Sequence, residues 1–182
     1  MKVGLIVGSL RKDSWNRKVA EVAKGLFPEN VEAEFVDISQ VPLYNQDLDG
    51  ENPIEAFKKV REDLKAYDAY LFFTPEYNRS YGPAIKNLID VGSRDPEGNL
   101  WAKKPAGVFS ASMGGYGAMA GNHALRQAFI YVDLIAMQQP EVYLAKVQDL
   151  FDENGKMVER TESFLKKAVD AFVDHAKMVL GR

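Results

Sequence analysis

The sequence predicts an α/β fold: a doubly wound, five-stranded parallel sheet of order 2-1-3-4-5 with helices on both faces. Five short apolar segments alternate along the chain with segments whose apolar residues recur at helical spacing. Such alternation is typical of a parallel sheet covered by helices on both faces. Right-handed crossovers and a length of 182 residues limit the topology, so residues 1–182 are expected to form a single domain.

The first half of the chain supplies three predicted strands and two helices. The strands are short apolar or alternating runs, and the helices carry apolar residues at spacings of three and four. Pro28 stops the first helix, and Pro53 stands where the first residue of a helix tolerates proline. The predicted elements are a strand at 3–7, a helix capped by Asp13 or Ser14, a strand at 31–38, a helix from Pro53 to Tyr67 and a strand at 69–73.

The second half continues the alternation, and a turn at Asn154-Gly155 precedes its last helix. Its predicted elements are a helix at 83–91, a strand at 106–111, a helix at 122–137, a strand at 141–147 and a helix ending near Leu180, with Phe164, Leu165, Ala168, Phe172, Ala176 and Val179 inward. Five strands in this order suit a flavodoxin-like sheet. In that fold, ligands bind at the carboxyl ends of the strands, near the junction of the first and third.

The amino-acid composition excludes several kinds of functional site. The chain has no cysteine, which excludes disulfides, thiolate zinc sites and a thiol redox pair. Any redox activity therefore needs a bound cofactor. A net charge of −3 argues against a nucleic-acid partner, and the apolar run at 3–7 is too short for a signal segment or a membrane span. We expect a cytoplasmic protein with no nucleic-acid or membrane partner and no metal site.

The loop after the first strand is a candidate phosphate site. It ends at a helix N-terminus, where unpaired N–H groups and the helix dipole favour an anion. Ser9, Arg11, Ser14 and Asn16 add four donor side chains within eight residues. Helix capping alone would account for a serine there, but the buried strand and the density of donors favour phosphate. The loop is neither a P-loop nor a G-x-G-x-x-G motif.

Two further loops follow the third and fourth strands. Residues 74–83 contain two prolines, a glycine and two tyrosines, which would form a rigid edge for a planar ring. The glycines of residues 110–121 allow a ligand to approach the backbone closely. Ser112 also lies in a near match to the G-x-S-x-G nucleophile elbow, with His123 or His175 as partner, so a serine hydrolase is a third candidate function.

Taken together, the three loops resemble the NADPH-dependent FMN reductase family, in particular its quinone and chromate reductase branch. The matching segments are 8–16, which follows G-S-x-R-x-x-S-x-N, Thr-Pro-Glu-Tyr-Asn at 74–78 and Ser-Met-Gly-Gly at 112–115. They occur in the family's order over nearly the whole chain. Members often have Pro-Gly, and later a tryptophan, where this chain has Gly82-Pro83 and Val91; the difference falls on the wall of the substrate pocket.

The resemblance implies an oxidoreductase that passes hydride from NADPH or NADH through bound FMN to an acceptor. The acceptor would be a quinone, an azo compound, free flavin or a metal oxyanion of the chromate type, reduced in a ping-pong scheme. No side chain is expected to act as a catalytic acid or base. The resemblance also implies a homodimer or homotetramer.

The implied cofactor-binding residues belong to the three loops. The phosphate would be held by Ser9, Arg11, Ser14 and Asn16, with the backbone around Trp15. The isoalloxazine edge would be lined, largely through main-chain groups, by Pro75, Glu76, Tyr77 and Asn78. From the third loop, the flavin would be approached by Ser112, Met113, Gly114 and Gly115. Arg79, Arg94 and Arg126 are candidates for the nicotinamide phosphate or for a subunit contact.

A flavodoxin-type electron carrier without NAD(P)H turnover is the alternative. Such a carrier would have strong acidic patches for docking its partners and a Thr/Ser-rich phosphate loop. The net charge of −3 and the presence of Arg11 argue against it.

Overall fold

In the computed structural model, which describes residues 1–181, six strands form one parallel sheet and five α-helices pack on it. The strands are β1 (Lys2–Val7), β2 (Glu32–Phe35), β3 (Ala69–Thr74), β4 (Pro105–Ala111), β5 (Ile135–Ala136) and β6 (Val142–Leu144). The helices are α1 (Trp15–Gly25), α2 (Glu55–Lys65), α3 (Pro83–Gly92), α4 (Met119–Tyr131) and α5 (Glu159–Leu180).

The strand order is β2-β1-β3-β4-β5, which confirms the predicted topology. The two faces of the sheet carry separate hydrophobic cores. One core joins the sheet to α1 and α5, and the other joins it to α2, α3 and α4. Because both faces are covered, every residue of β3 and β4 is buried. No helix within residues 1–181 is long and apolar enough to cross a membrane.

The predicted fifth strand is present as two short strands. Both β5 and β6 pair in parallel with β4, one at each end: Ile135 lies opposite Pro105, and Val142 lies opposite Phe109. The single strand predicted at 141–147 and the helix predicted to reach 137 are therefore wrong in their bounds. The apolar residues after Tyr131 contribute to the sheet and not to α4. Their spacing resembles that of a continuing helix, which is why the predicted helix was too long.

The structure confirms the helix end for which the sequence contains a local capping residue. Ser14 is the N-cap of α1, and its hydroxyl oxygen accepts the N–H of Arg17 at 3.2 Å. The predicted start of α2 at Pro53 is wrong, because the helix begins at Glu55 after the cap residue Ile54.

Phe164 was predicted to face inward but is 37 % exposed, whereas its neighbour Leu165 is fully buried.

A buried ion pair fixes the connection between β2 and α2. The two guanidinium nitrogens of Arg61 donate to the two carboxylate oxygens of Asp49 at 2.6 and 2.7 Å, and the side chains are only 2 % and 3 % exposed. Arg61 Nε also donates to the carbonyl oxygen of Val91 at 3.0 Å. Asn87 of α3 binds the same connection, because its Oδ1 accepts the N–H of Tyr44 at 2.7 Å.

We predict that Arg61→Leu lowers the free energy of unfolding by about 3–5 kcal/mol, because it leaves the Asp49 carboxylate buried without a cation. The matched control is Lys86→Leu, which removes an exposed pair with Asp90 and should cost about 1 kcal/mol or less. Urea unfolding followed by circular dichroism measures both. Equal losses for the two variants would show that the buried pair is no more important than a surface one.

Candidate functional site

The loops after β1, β3 and β4 meet at the carboxyl edge of the sheet. They line one cleft with a volume of about 270 Å³. The cleft brings together most of the residues predicted from the sequence, namely Ser9, Arg11, Ser14, Trp15, Asn16, Pro75, Glu76, Tyr77, Ser112 and Met113. Asn78, Gly114 and Gly115 adjoin these residues in sequence but are not part of the cleft lining.

The start of α1 forms one end of the cleft. The first turn of a helix leaves backbone N–H groups without intrahelical acceptors, and the first turn of α1 carries no acidic residue. Ser14 is buried there, and its hydroxyl still has a proton to donate. Arg11 is exposed beside it. This end of the cleft is therefore suited to an anion.

Asn16 connects α1 to β4 and leaves one atom for a ligand. Its Nδ2 donates to the carbonyl oxygen of Ala111 at 3.1 Å. Its Oδ1 is buried and has no hydrogen-bond partner within residues 1–181. Because an unpaired buried acceptor is costly, and because Asn16 lines the cleft, a ligand with a hydroxyl or N–H donor would satisfy it.

The second loop is a tight turn. Tyr77 and Ser80 exchange both backbone hydrogen bonds, at 2.8 and 3.0 Å. Asn78 and Arg79, the two residues between them, have φ angles of 49° and 68°. Positive φ at both central positions is the signature of a type I′ turn, which suits asparagine and is unusual for arginine. The turn holds the main chain beside the half-exposed Tyr77 in a fixed path.

Glu76 joins the second loop to the third. Its Oε2 accepts the N–H groups of Ala120 and Gly121 at 3.0 and 3.2 Å, and these belong to the first turn of α4. The cap residue of α4 is Ala118, whose side chain cannot accept a hydrogen bond. Glu76 therefore caps α4 from another loop, a role that the sequence reasoning missed. The absence of a capping side chain before α4 was the available signal.

Main-chain bonds hold the third loop to the last residue of β6 and to the segment after it. Ser112 N–H donates to the carbonyl oxygen of Leu144 at 3.1 Å, and Lys146 N–H donates to that of Gly114 at 3.0 Å. Apart from its chain neighbours, nothing lies within 4 Å of a Cβ built at Gly115. Packing within the described chain does not require glycine there, so the space is open to a ligand.

The described residues do not form the triad that the serine hydrolase alternative requires. The hydroxyl of Ser110 donates to the carbonyl oxygen of Gly117 at 2.8 Å, and that of Ser112 accepts the N–H of Ala118. His123 Nε2 pairs with the Tyr143 hydroxyl at 3.0 Å. Burial raises the pKa of Tyr143 to about 12, so the phenol stays protonated at neutral pH. Within residues 1–181, neither serine is hydrogen-bonded to a histidine.

The three candidate arginines have different positions. Arg126 is structural, because its Nε donates to Asn122 Oδ1 and its Nη1 donates to the carbonyl oxygen of Met137 at 2.7 Å. The guanidinium of Arg94 lies 5.1 Å from the ring centroid of Tyr44. Arg79 is the one of the three beside the cleft, where it pairs with Glu76 at 3.3 Å.

Comparison with known proteins identifies the family. Residues 1–149 match the family described as NADPH-dependent FMN reductase. The chain belongs to this family. It is 44% identical over 176 residues to a quinone reductase from Pseudomonas putida, covering 97% of this chain and 95% of the relative.

Solved structures agree with the fold of this FMN reductase family member. The flavoenzyme FerB, an NAD(P)H:(acceptor) oxidoreductase from Paracoccus denitrificans, is 37% identical, with a TM-score of 0.89 over 97% of both chains. A flavodoxin variant from Pseudomonas aeruginosa aligns with a TM-score of 0.61 at 17% identity over 97% of this chain and 99% of the flavodoxin, which supports the flavodoxin-like fold alone. Family membership confirms the predicted enzyme class, with FMN as cofactor and NAD(P)H as co-substrate.

The cleft residues fit FMN chemically. The start of α1 and Arg11 suit a phosphate, and the unpaired Oδ1 of Asn16 suits a hydroxyl donor such as the ribityl chain carries. The Gly82-Pro83 order also has a local cause. A Cβ at Gly82 would lie 2.6 Å from the carbonyl oxygen of Gly8, and Pro83 is the first residue of α3.

We predict that Glu76→Ala lowers the free energy of unfolding by about 1.5–3 kcal/mol, because two backbone N–H groups lose a charged acceptor. Glu21→Ala, which removes an exposed carboxylate paired with Arg17, is the matched control and should cost about 1 kcal/mol or less. Thermal unfolding of both proteins measures the difference. If Glu76→Ala unfolds no earlier than the control, the cap contributes nothing to stability.

Proposed function

We propose that this protein transfers electrons from NAD(P)H to quinones through FMN bound in the three-loop cleft. The observation that carries the proposal is that the start of α1, an unsatisfied buried acceptor on Asn16 and the first residues of the third loop line one cleft. The similarity of nearly the whole chain to a quinone reductase supports a quinone as the acceptor.

The proposed binding roles follow the order of the loops. The phosphate lies at the start of α1, within reach of Ser9, Arg11, Ser14, Trp15 and Asn16. The isoalloxazine ring lies along Pro75, Glu76, Tyr77 and Asn78. On its other side, the third loop supplies Ser112, Met113, Gly114 and Gly115. Residues 1–182 thereby act as one FMN-binding domain.

The chain's own residues bind and orient; they do not transfer protons. When bound, FMN supplies the two-electron chemistry, taking hydride from NAD(P)H and giving electrons to the acceptor. The carboxylate of Glu76 is engaged by α4, so it is not free to act as an acid or base. The nicotinamide and the quinone would use the same mouth in turn, beside Tyr77 and Met113, which predicts ping-pong kinetics.

The proposal extends to other acceptors, to assembly and to location. Azo compounds, free flavin and chromate-type oxyanions are further candidate acceptors, which activity measured against a panel of acceptors would rank.

A homodimer or homotetramer is supported by exposed apolar side chains of the second and third loops and α4, namely Tyr77, Met113, Tyr116 and Met119. A sedimentation coefficient typical of a 20.4 kDa monomer would contradict it. We also propose a cytoplasmic location.

The decisive experiment combines FMN binding with turnover. The purified protein should be yellow, or become yellow with added FMN, and should oxidise NAD(P)H when 1,4-benzoquinone is present. Protein stripped of FMN is the control and should be inactive until FMN is restored. Bound FMN without NAD(P)H oxidation would favour the electron carrier, and failure to bind FMN would overturn the proposal.

We predict that Arg11→Ala weakens FMN binding by about 1.5–3 kcal/mol, the value of a lost charged hydrogen bond. Lys12→Ala is the matched control, because Lys12 is an exposed cation in the same loop and does not line the cleft. Quenching of FMN fluorescence during titration gives both affinities. If the two variants bind FMN equally well, Arg11 does not hold the phosphate.

A further inference from the structure

Arg79 has an unusual backbone conformation in the second loop. It is the second central residue of the turn between Tyr77 and Ser80, and its φ angle is 68°. Positive φ is uncommon for residues other than glycine, asparagine and aspartate, and such strain is often found at functional sites. Asparagine, which already occupies position 78, would form the turn more readily. The geometry of the turn therefore does not explain why an arginine is present.

The ion pair of Arg79 with Glu76 is not needed by either side chain. The Nη1 of Arg79 lies 3.3 Å from Glu76 Oε1, and the arginine side chain is 74% exposed. Glu76 has other partners, because its Oε2 accepts the two N–H groups at the start of α4. An ion pair that is open to water contributes little to stability. The guanidinium of Arg79 is therefore available to a ligand.

The charges of the three loops leave Arg79 as the cation for a second ligand. In the second and third loops, the carboxylates and cations are Glu76 and Arg79. The Glu76 carboxylate interacts with the positive end of the α4 dipole, so the charge of Arg79 is not fully compensated. The other two cations, Arg11 and Lys12, belong to the first loop, where the proposed FMN phosphate lies. At the ring end of the cleft, Arg79 therefore remains.

Arg79 also approaches an aromatic side chain of the third loop. Its guanidinium carbon lies 6.0 Å from the ring centroid of Tyr116, which is itself exposed. At an exposed site, a cation at this distance from a tyrosine ring is attracted to it only weakly. Arg79 and Tyr116 belong to the two loops between which the flavin ring is proposed to lie. A flat aromatic molecule with a negative charge matches this pair, because the phenol ring suits its plane and the guanidinium suits its anion.

We propose that Arg79 selects acceptors that carry a negative charge, so that the preferred acceptor is a quinone with an acidic substituent that is ionised at neutral pH. The guanidinium donates a charge-assisted hydrogen bond to that substituent while the quinone ring lies at the mouth of the cleft. The chain as a whole has a net charge of −3 and does not attract anions, so a local cation is needed to recruit them. The inference rests on the proposed function and adds to it the chemical class of the acceptor.

The test compares two naphthoquinones that differ in charge. The probes are 1,4-naphthoquinone-2-sulfonate, which is an anion, and 2-methyl-1,4-naphthoquinone, which is neutral. For each FMN-loaded protein, the measured quantity is the ratio of kcat/KM for the sulfonate to kcat/KM for the neutral quinone. Comparing this ratio between proteins cancels the different intrinsic reactivities of the two probes. We expect it to fall about fivefold in Arg79→Asn and to be largely kept in Arg79→Lys, which retains the charge.

Lys146→Asn is the matched control. Lys146 is also an exposed cation with a positive φ angle, 45°, but it belongs to neither the second nor the third loop. Its variant should therefore keep the ratio of the native protein. Thermal unfolding provides a second measurement: Arg79→Asn should unfold at the native temperature or above it, because asparagine adopts positive φ more readily than arginine.

Three results would overturn the inference. The ratio is unchanged in Arg79→Asn, or it falls equally in the Arg79 and Lys146 variants. The third is that Arg79→Asn lowers kcat/KM for NAD(P)H by the same factor as that for the sulfonate, which would show that the cation binds the phosphate groups of the co-substrate. All three are obtained with protein that reduces quinones. Failure of the proposed function is different, because that protein would neither bind FMN nor oxidise NAD(P)H with either quinone.

Discussion

Close contact between backbone segments at the carboxyl edge of the sheet is the constraint on which the site depends. A Cβ at Gly82 would collide with Gly8, and a Cβ at Gly121 would lie 3.0 Å from the carbonyl oxygens of both Pro75 and Ser80. The first two loops and the start of α4 therefore meet main chain to main chain. A cleft built in this way has walls that side-chain motion changes little.

Two polar side chains convert this contact into a fixed geometry. Glu76 joins the second loop to α4, and Asn16 joins α1 to β4. Asn16 is buried and Glu76 is half-buried. In such surroundings a hydrogen bond is stronger than in water, and a polar group left without a partner lowers the stability of the fold. Arg11, by contrast, is exposed. The cleft thus combines buried positioning groups with an exposed cation at its edge.

Three features could be predicted from the sequence: the sheet order, the N-cap at Ser14 and the three loops. The alternation of strands with helices and the local caps can be recognised from residues that are neighbours in the chain. The division of the fifth strand was not, because pairing with β4 decides it and no local pattern records that pairing. The apolar spacing of α5 is compatible with burial of either Phe164 or Leu165. Only the surface against which the helix packs decides that Leu165 is the buried one. The cap that Glu76 provides spans 44 residues and is invisible in a local pattern.

The attachment of the third loop has a consequence for how this protein can change. Its backbone is held by two main-chain hydrogen bonds: Ser112 donates to Leu144, the last residue of β6, and Gly114 accepts from Lys146. The exposed side chains that the loop and α4 present, Met113, Tyr116 and Met119, take no part in those bonds. Replacing these side chains therefore leaves those main-chain bonds in place. Substitution at these three positions is thus expected to leave the path of the loop unchanged.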